Sequence, residues 1–363
     1  MAIKVAKILF LSQIFTLSSA YTRLDNEKIE IDDPNLGKIT RDYILLYPDQ
    51  KDSTSDSPPG LIFHFHGWTV DYRDEADQDY NKYVDSYNYI MVYARGLSDL
   101  IPQRYPSWNI NEPNPPCTER QTNDYCYESC KKLDLCYPGS WTTCYDDTFF
   151  IQKLLEKIID QFGPININKF VITGGSNGGM FTYALSSSKI LNPQPSHYIP
   201  WFGNVPLNYE IRTNGKANLL SVYDRYDRNV PMYGGESNDY YIYESETSCM
   251  EAWRKESSCL SKTYNYDKDV DENPQLKINT PLDDNPKANS KNFACTSAKG
   301  CNQGSVITSC HYDGYHGSTY DNYVEMHLWW IYNFTEAYGG ESAGFRIGLC
   351  GIWLFGFILA VFA

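Results

Sequence analysis

Residues 169–185 read Lys-Phe-Val-Ile-Thr-Gly-Gly-Ser-Asn-Gly-Gly-Met-Phe-Thr-Tyr-Ala-Leu: an apolar strand, a Gly-x-Ser-x-Gly turn and a helix. A serine on so sharp a strand-to-helix turn takes an unfavourable backbone angle, and neighbours without a Cβ let strand and helix approach. The turn exposes the Ser176 hydroxyl at the helix N-terminus, where the helix dipole and unpaired N–H groups favour developing negative charge. Glycine-rich loops between strand and helix also cradle phosphates, but a phosphate loop needs a lysine at the helix start, and none follows here. The stretch reads as a nucleophile elbow.

Around it, short apolar runs alternate with longer amphipathic ones, the pattern of a mostly parallel central sheet with helices on both faces. Strands are expected at Asp42–Leu46, Leu61–Phe65, Tyr89–Ala94, Lys169–Thr173, Asn218–Tyr223 and Ser305–Ser309. Apolar residues at helical spacing predict helices over 146–162 and 320–334. With 363 residues, 42% hydrophobic and 21% charged, the chain is neither disordered nor collagen-like. No internal repeat or linker divides the middle. Ser98 to Cys144, rich in Pro and Cys, and the polar stretch Tyr264 to Asn292 are expected to be surface excursions, the first pinned by disulfides.

A serine hydroxyl becomes a good nucleophile when a histidine takes its proton and an acid orients that histidine. On an elbow of this type the chain order is serine, acid, histidine. After the strand at Asn218–Tyr223 come two aspartates, Asp224 and Asp227, and both fit that order. Of six histidines, His64 and His66 precede the serine, His197 has no suitable setting, and His327 lies within a predicted amphipathic helix. His311 and His316 are left. His316 sits in Asp313-Gly314-Tyr315-His316-Gly317, a loop between the last predicted strand and helix that can reach the C-terminal edge of the sheet.

With these residues in place the chain resembles the secreted α/β-hydrolase family of polyhydroxybutyrate depolymerase-like proteins, feruloyl esterases and acetyl xylan esterases, over most of Leu61 to Phe334. The family's Gly-x-Ser-Asn-Gly-Gly-Met signature stands at Gly174 to Met180. Its acid lies three residues before a Val-Pro pair, a register that selects Asp227 ahead of Val230-Pro231. Its histidine loop matches the one carrying His316, and its first-strand motif stands as Leu61-Ile62-Phe63-His64-Phe65-His66-Gly67-Trp68. A further shared piece runs from Trp141 to Ile151, the acidic start of the helix before the nucleophile strand. Many members continue the histidine loop with Trp-Pro-Gly, where this chain has Gly317-Ser318-Thr319.

The resemblance implies an α/β-hydrolase fold with disulfide-rich insertions, a Ser176–His316–Asp227 triad, ester hydrolysis through an acyl-enzyme, and no cofactor or metal. The oxyanion donors are expected to be the backbone amides of Asn177 and of Trp68, with Thr69 as the alternative to Trp68. His66 either fixes that loop by a hydrogen bond or is a buried structural histidine. Trp68, Trp108 and Trp141 lie in or near segments expected at the mouth, where they either stack on feruloyl or sugar rings or, the commoner use of such rings, serve as ordinary surface and core packing. The substrate class is an ester, polymeric esters included. Two other readings stay open: a catalytically inactive surface-binding or adhesion protein on the same fold, and a serine peptidase.

The ends carry their own expectations. Met1 to Ala20 has two lysines, an apolar core and a small-residue exit, and reads as a secretory signal peptide. Residues 339–363 start with small residues and finish in an uncharged apolar run, which reads as a glycolipid-anchor signal, or otherwise as a membrane helix. The catalytic domain is then 21–338, at the cell surface or outside the cell. A formal net charge of −14 argues against nucleic acid as a partner. Without Cys350 of the tail, ten cysteines remain: Cys117, Cys126, Cys130, Cys136 and Cys144, then Cys249, Cys259, Cys295, Cys301 and Cys310. An even number in a secreted chain reads as disulfides. Because each group holds five, complete oxidation requires at least one bridge between the groups.

Overall fold

The computed structural model describes residues 21–317, excluding 50–57, 77–80, 82–83, 100–104, 113–114, 122–125, 138, 214, 260–262, 266–293, 299–300 and 313, together with residues 327, 330 and 331. The predicted signal peptide and apolar tail lie outside the described residues, as do most of the polar excursion and most of the predicted last helix. Among the described residues, no helix is long and apolar enough to cross a membrane.

The chain opens with a hairpin of β1 (Tyr21–Asp33) and β2 (Gly37–Pro48). Then follow β3 (Gly60–Phe65), α1 (Tyr72–Ala76), α2 (Val84–Tyr87) and β4 (Tyr89–Ala94). The short α3 (Glu128–Lys132) leads to the long α4 (Asp147–Phe162), β5 (Phe170–Gly175) and α5 (Asn177–Ser188). After β6 (His197–Trp201) and β7 (Asn218–Asp224) comes a small ribbon of β8 (Gly235–Glu236) and β9 (Ile242–Tyr243), then α6 (Glu246–Glu256). Last are β10 (Thr263–Asn265), β11 (Ala294–Ala298) and β12 (Ile307–Tyr312).

Ten strands form one sheet in the order β1-β2-β4-β3-β5-β6-β7-β12-β11-β10. The middle, from β4 to β12, is parallel throughout, and the antiparallel strands lie at the two edges. Parallel strands covered on both faces are apolar along their whole length, and β3 and β4 are buried at every residue. One face packs α4, α5 and α6 over Phe63, Phe65, Ile172 and Leu219. The other packs α1, α2, Trp330 and Ile331 over Ile62, Met91, Val171 and Leu220. This is the mostly parallel sheet with helices on both faces that the sequence implies, with disulfide-bonded insertions.

Several expectations need correction. Ser98 to Cys144 is not simply a surface excursion, because Trp108, Ile110, Tyr127 and Cys130 are fully buried. Trp108 stacks on Phe181 of α5, with ring centroids 4.9 Å apart, and meets Phe65 of β3 edge-on. The bridge between the two cysteine groups is absent among the described residues. Cys126–Cys136, Cys130–Cys144 and Cys259–Cys301 each close within a group, and Cys249 is a buried thiol on α6. Cys310, opposite Cys295 in the strand register, is disulfide-bonded as well.

Candidate active site

The C-terminal ends of β5, β7 and β12 lie on one edge of the sheet, because these strands run parallel through β6. Ligands of open α/β sheets bind at that edge. Ser176 follows β5, Asp227 stands three residues beyond β7, and His316 stands four beyond β12.

Ser176 occupies φ 54° and ψ −121°, a region that residues with a Cβ seldom enter. Two glycines allow the turn. A Cβ on Gly178 would come within 2.1 Å of the Phe65 carbonyl oxygen, and one on Gly179 within 2.7 Å of that of Trp201. Helix α5 can therefore press its first turn directly against β3 and β6. Although Ser176 is the N-cap of α5, its side chain does not cap the helix; the hydroxyl lies 2.9 Å from His316 Nε2.

His316 Nδ1 lies 2.7 Å from Asp227 Oδ2. The other carboxylate oxygen, Oδ1, accepts from the amides of Asn229 at 2.8 Å and Val230 at 2.9 Å. With both oxygens engaged and its side chain 1% exposed, Asp227 is fixed in place. A carboxylate accepts only, so Nδ1 carries the proton toward Asp227 and Nε2 is left to accept from the serine. The Phe202 ring meets the imidazole edge-on at 5.1 Å and packs over Gly175. Asp224, the other acid that the sequence left open, is buried at the end of β7, and Gly314 packs against its carboxylate. His311 stays on β12.

The expected oxyanion residues lie beside this constellation. A Cβ on Gly67 would be 3.5 Å from the Ser176 Cβ, so the loop after β3 passes directly over the serine. The Thr69 amide donates to Pro106 O at 3.0 Å, which commits it elsewhere and favours Trp68 of the two. Asn177 is fully buried at the first position of α5. Its side chain is held from both ends: Oδ1 accepts from the Trp108 amide at 2.7 Å, and Nδ2 donates to Trp108 O at 3.1 Å. His66 is buried, and burial pushes its pKa down to about 4.

Of the three tryptophans near the mouth segments, Trp108 and Trp141 take the packing alternative. Trp108 lies in the core rather than at the mouth, and Trp141 is 5% exposed. Trp68 stacks on Tyr105 at 5.1 Å, and its indole N–H donates to Trp141 O. Sequence reasoning missed Tyr226 and Tyr315, which adjoin Asp227 and His316, are 53% and 69% exposed, and pair at 6.2 Å. Their position next to the acid and the histidine was the available signal. Among the described residues no cluster of His, Cys, Asp and Glu is arranged to hold a metal ion.

No family model and no curated relative matches the chain. Solved structures with some similarity include an acetyl xylan esterase from Aspergillus awamori, at 11% identity, with 84% of this chain and 99% of that one covered and a TM-score of 0.47. A thermostable esterase matches at 17% identity over 64% of this chain and 52% of its own length, with a TM-score of 0.39. A mutant feruloyl esterase module from Clostridium thermocellum, complexed with sinapinate, matches at 10% identity over 65% and 74%, with a TM-score of 0.38. What this site can do follows from its own geometry.

Proposed function

We propose that this chain is a serine hydrolase of carboxylic esters, with Ser176 as nucleophile, His316 as general base and acid, and Asp227 as the group that orients the imidazole. The observation that carries the reading is the unbroken line Ser176 Oγ, His316 Nε2, His316 Nδ1, Asp227 Oδ2, with contacts of 2.9 and 2.7 Å, built on a serine held at φ 54°. Ser176 Oγ bonds to the ester carbonyl carbon as its proton passes to His316 Nε2. The carbonyl oxygen becomes an oxyanion, met by the amides of Asn177 and Trp68. Collapse breaks the bond to the leaving oxygen, which departs as the alcohol with the proton from Nε2. Water, deprotonated by His316, then releases the acid and restores the serine.

Esters carrying a ring, feruloyl or acetylated sugar among them, are the substrates we favour within that class, because Tyr226, Tyr315 and Trp68 offer ring faces around the triad loops. The disulfides support an extracytoplasmic setting, where thiols are oxidised. Hydrolysis of 4-nitrophenyl acetate tests the chemistry. Ser176→Ala is expected to lower kcat/KM at least about 10³-fold with the fold retained; a loss of less than about tenfold overturns the reading.

A further inference from the structure

We propose that His66, Trp108 and the Asn177 side chain form one positioning unit that couples the two oxyanion donors. The proposal rests on the serine-hydrolase reading and goes beyond it by assigning work to groups that touch neither substrate nor triad.

The unit is a continuous chain of hydrogen bonds. Asn177 grips the backbone of Trp108 through both its N–H and its C=O. The Trp108 indole N–H donates to His66 O at 3.0 Å. His66 Nε2 accepts from the Gly96 amide at 2.9 Å, so Nε2 is bare and the ring proton is on Nδ1. Nδ1–H then donates to Gly67 O at 2.7 Å. A Cβ on Gly96 would strike Ser107 O at 2.6 Å and the His66 ring at 3.0 Å, so only glycine lets its amide come this close.

The consequence lies in the peptide group between Gly67 and Trp68. In a planar trans peptide the C=O and the N–H point in opposite directions. Holding Gly67 O from one side therefore fixes the direction of the Trp68 N–H on the other. Val70 N–H also donates to Gly67 O, at 3.2 Å, and pins the plane a second time. At the far end of the chain, the Asn177 side chain holds the first residue of α5, whose own amide is the other donor. Both donors are thus referred to Trp108, which is fully buried between Phe181 and Phe65. Burial keeps His66 neutral, as its accepting Nε2 requires.

The test uses His66→Gln and His66→Asn in the full chain. The Gln side chain reaches the place of Nε2 and can still accept from Gly96, but it puts no donor where Nδ1 stood. The Asn side chain puts an N–H donor at the Nδ1 place. His66→Gln is expected to lower kcat on 4-nitrophenyl acetate about tenfold or more with KM within about threefold, and to weaken phenylboronic acid, a mimic of the tetrahedral state, in parallel. His66→Asn is expected to recover at least about fivefold of that loss. Combining His66→Gln with Asn177→Asp is expected to cost about as much as the worse single change. If His66→Gln does not fold, Trp108→Phe, which removes the indole N–H, is judged by the same kcat, KM and boronate criteria. A folded His66→Gln with kcat within about threefold of wild type overturns the proposal, as does equal loss in the Gln and Asn variants or full additivity in the double variant. If the wild type is inactive, or Ser176→Ala keeps its activity, the serine-hydrolase reading fails and takes the proposal with it.

Discussion

Asp227 accepts three hydrogen bonds, two from backbone amides and one from His316. Chain order alone leaves Asp224 and Asp227 open. The register three residues before Val230-Pro231, which the family resemblance supplies, selects Asp227, and the Val230 amide that closes the turn onto its carboxylate gives that register a physical reason. Asp227→Asn keeps the shape but offers an amide where a carboxylate accepted from Nδ1–H. The imidazole is then held in the wrong tautomer, and kcat is expected to fall about 10⁴-fold with little change in KM. Steady-state kinetics on an aryl ester check this, and a drop of less than about tenfold would remove Asp227 from its role. Ser176 was legible because its strain leaves a glycine pattern behind. The Asn177 clamp was not, since its partner Trp108 lies 69 residues away in sequence and no local pattern links the two. Phe202 gave no signal either, because its contact with His316 depends on how two loops meet.

Among the elements, β4 runs over Tyr89–Ala94, as the apolar pattern predicts, because a central parallel strand is buried on both faces. The β1 hairpin strand escaped because its buried and exposed residues alternate through a run of charges, and β6 because His197 and Pro200 interrupt its apolar pattern. Helix α4 begins one residue later than the predicted span, since Asp146 is its N-cap and accepts from the Phe149 amide at 2.9 Å. Its next residue carries more weight. Asp147 forms a fully buried ion pair with Arg41 of β2 at 2.7 Å, and its other oxygen accepts from the Asn109 amide. Arg41 also lies over the Phe150 ring at 3.9 Å. The pair joins β2, α4 and the loop that carries Trp108. Asp147→Ala strands a buried guanidinium and is expected to cost about 3–5 kcal/mol of unfolding free energy. Chemical denaturation measures it, and a cost below about 1 kcal/mol would show that the pair does not hold these elements together.

Across the whole molecule, burial keeps four histidines uncharged. It pushes His64 and His197 down to about 3 and His66 to about 4, and lowers His327 too. The unfolded chain protonates each near pH 6.5, the folded chain only well below. Between these limits the unfolded state binds more protons, so each histidine's share of stability is present above about pH 6.5 and lost as the pH falls toward 3 or 4. Glu75, raised by burial to about 7, acts in the opposite sense. His197 isolates one such group: its Nε2 faces the Asn218 amide nitrogen at 3.1 Å and its Nδ1 the Ser196 hydroxyl at 2.8 Å. Replacing it with Asn removes the titration. The stability advantage of wild type over His197→Asn is expected to shrink by about 1.4 kcal/mol per pH unit between about 6 and 4 in urea unfolding. An advantage that does not change with pH would contradict a neutral buried imidazole.

The central claim is that Ser176, activated by His316, is the nucleophile, and a fluorophosphonate probe tests it most directly because only an activated serine displaces the fluoride. Peptide mass spectrometry after labelling is expected to find one adduct, on the peptide carrying Ser176, absent in Ser176→Ala and formed far more slowly in His316→Ala. A folded protein that takes up no label, or takes it up on another residue, would contradict the account.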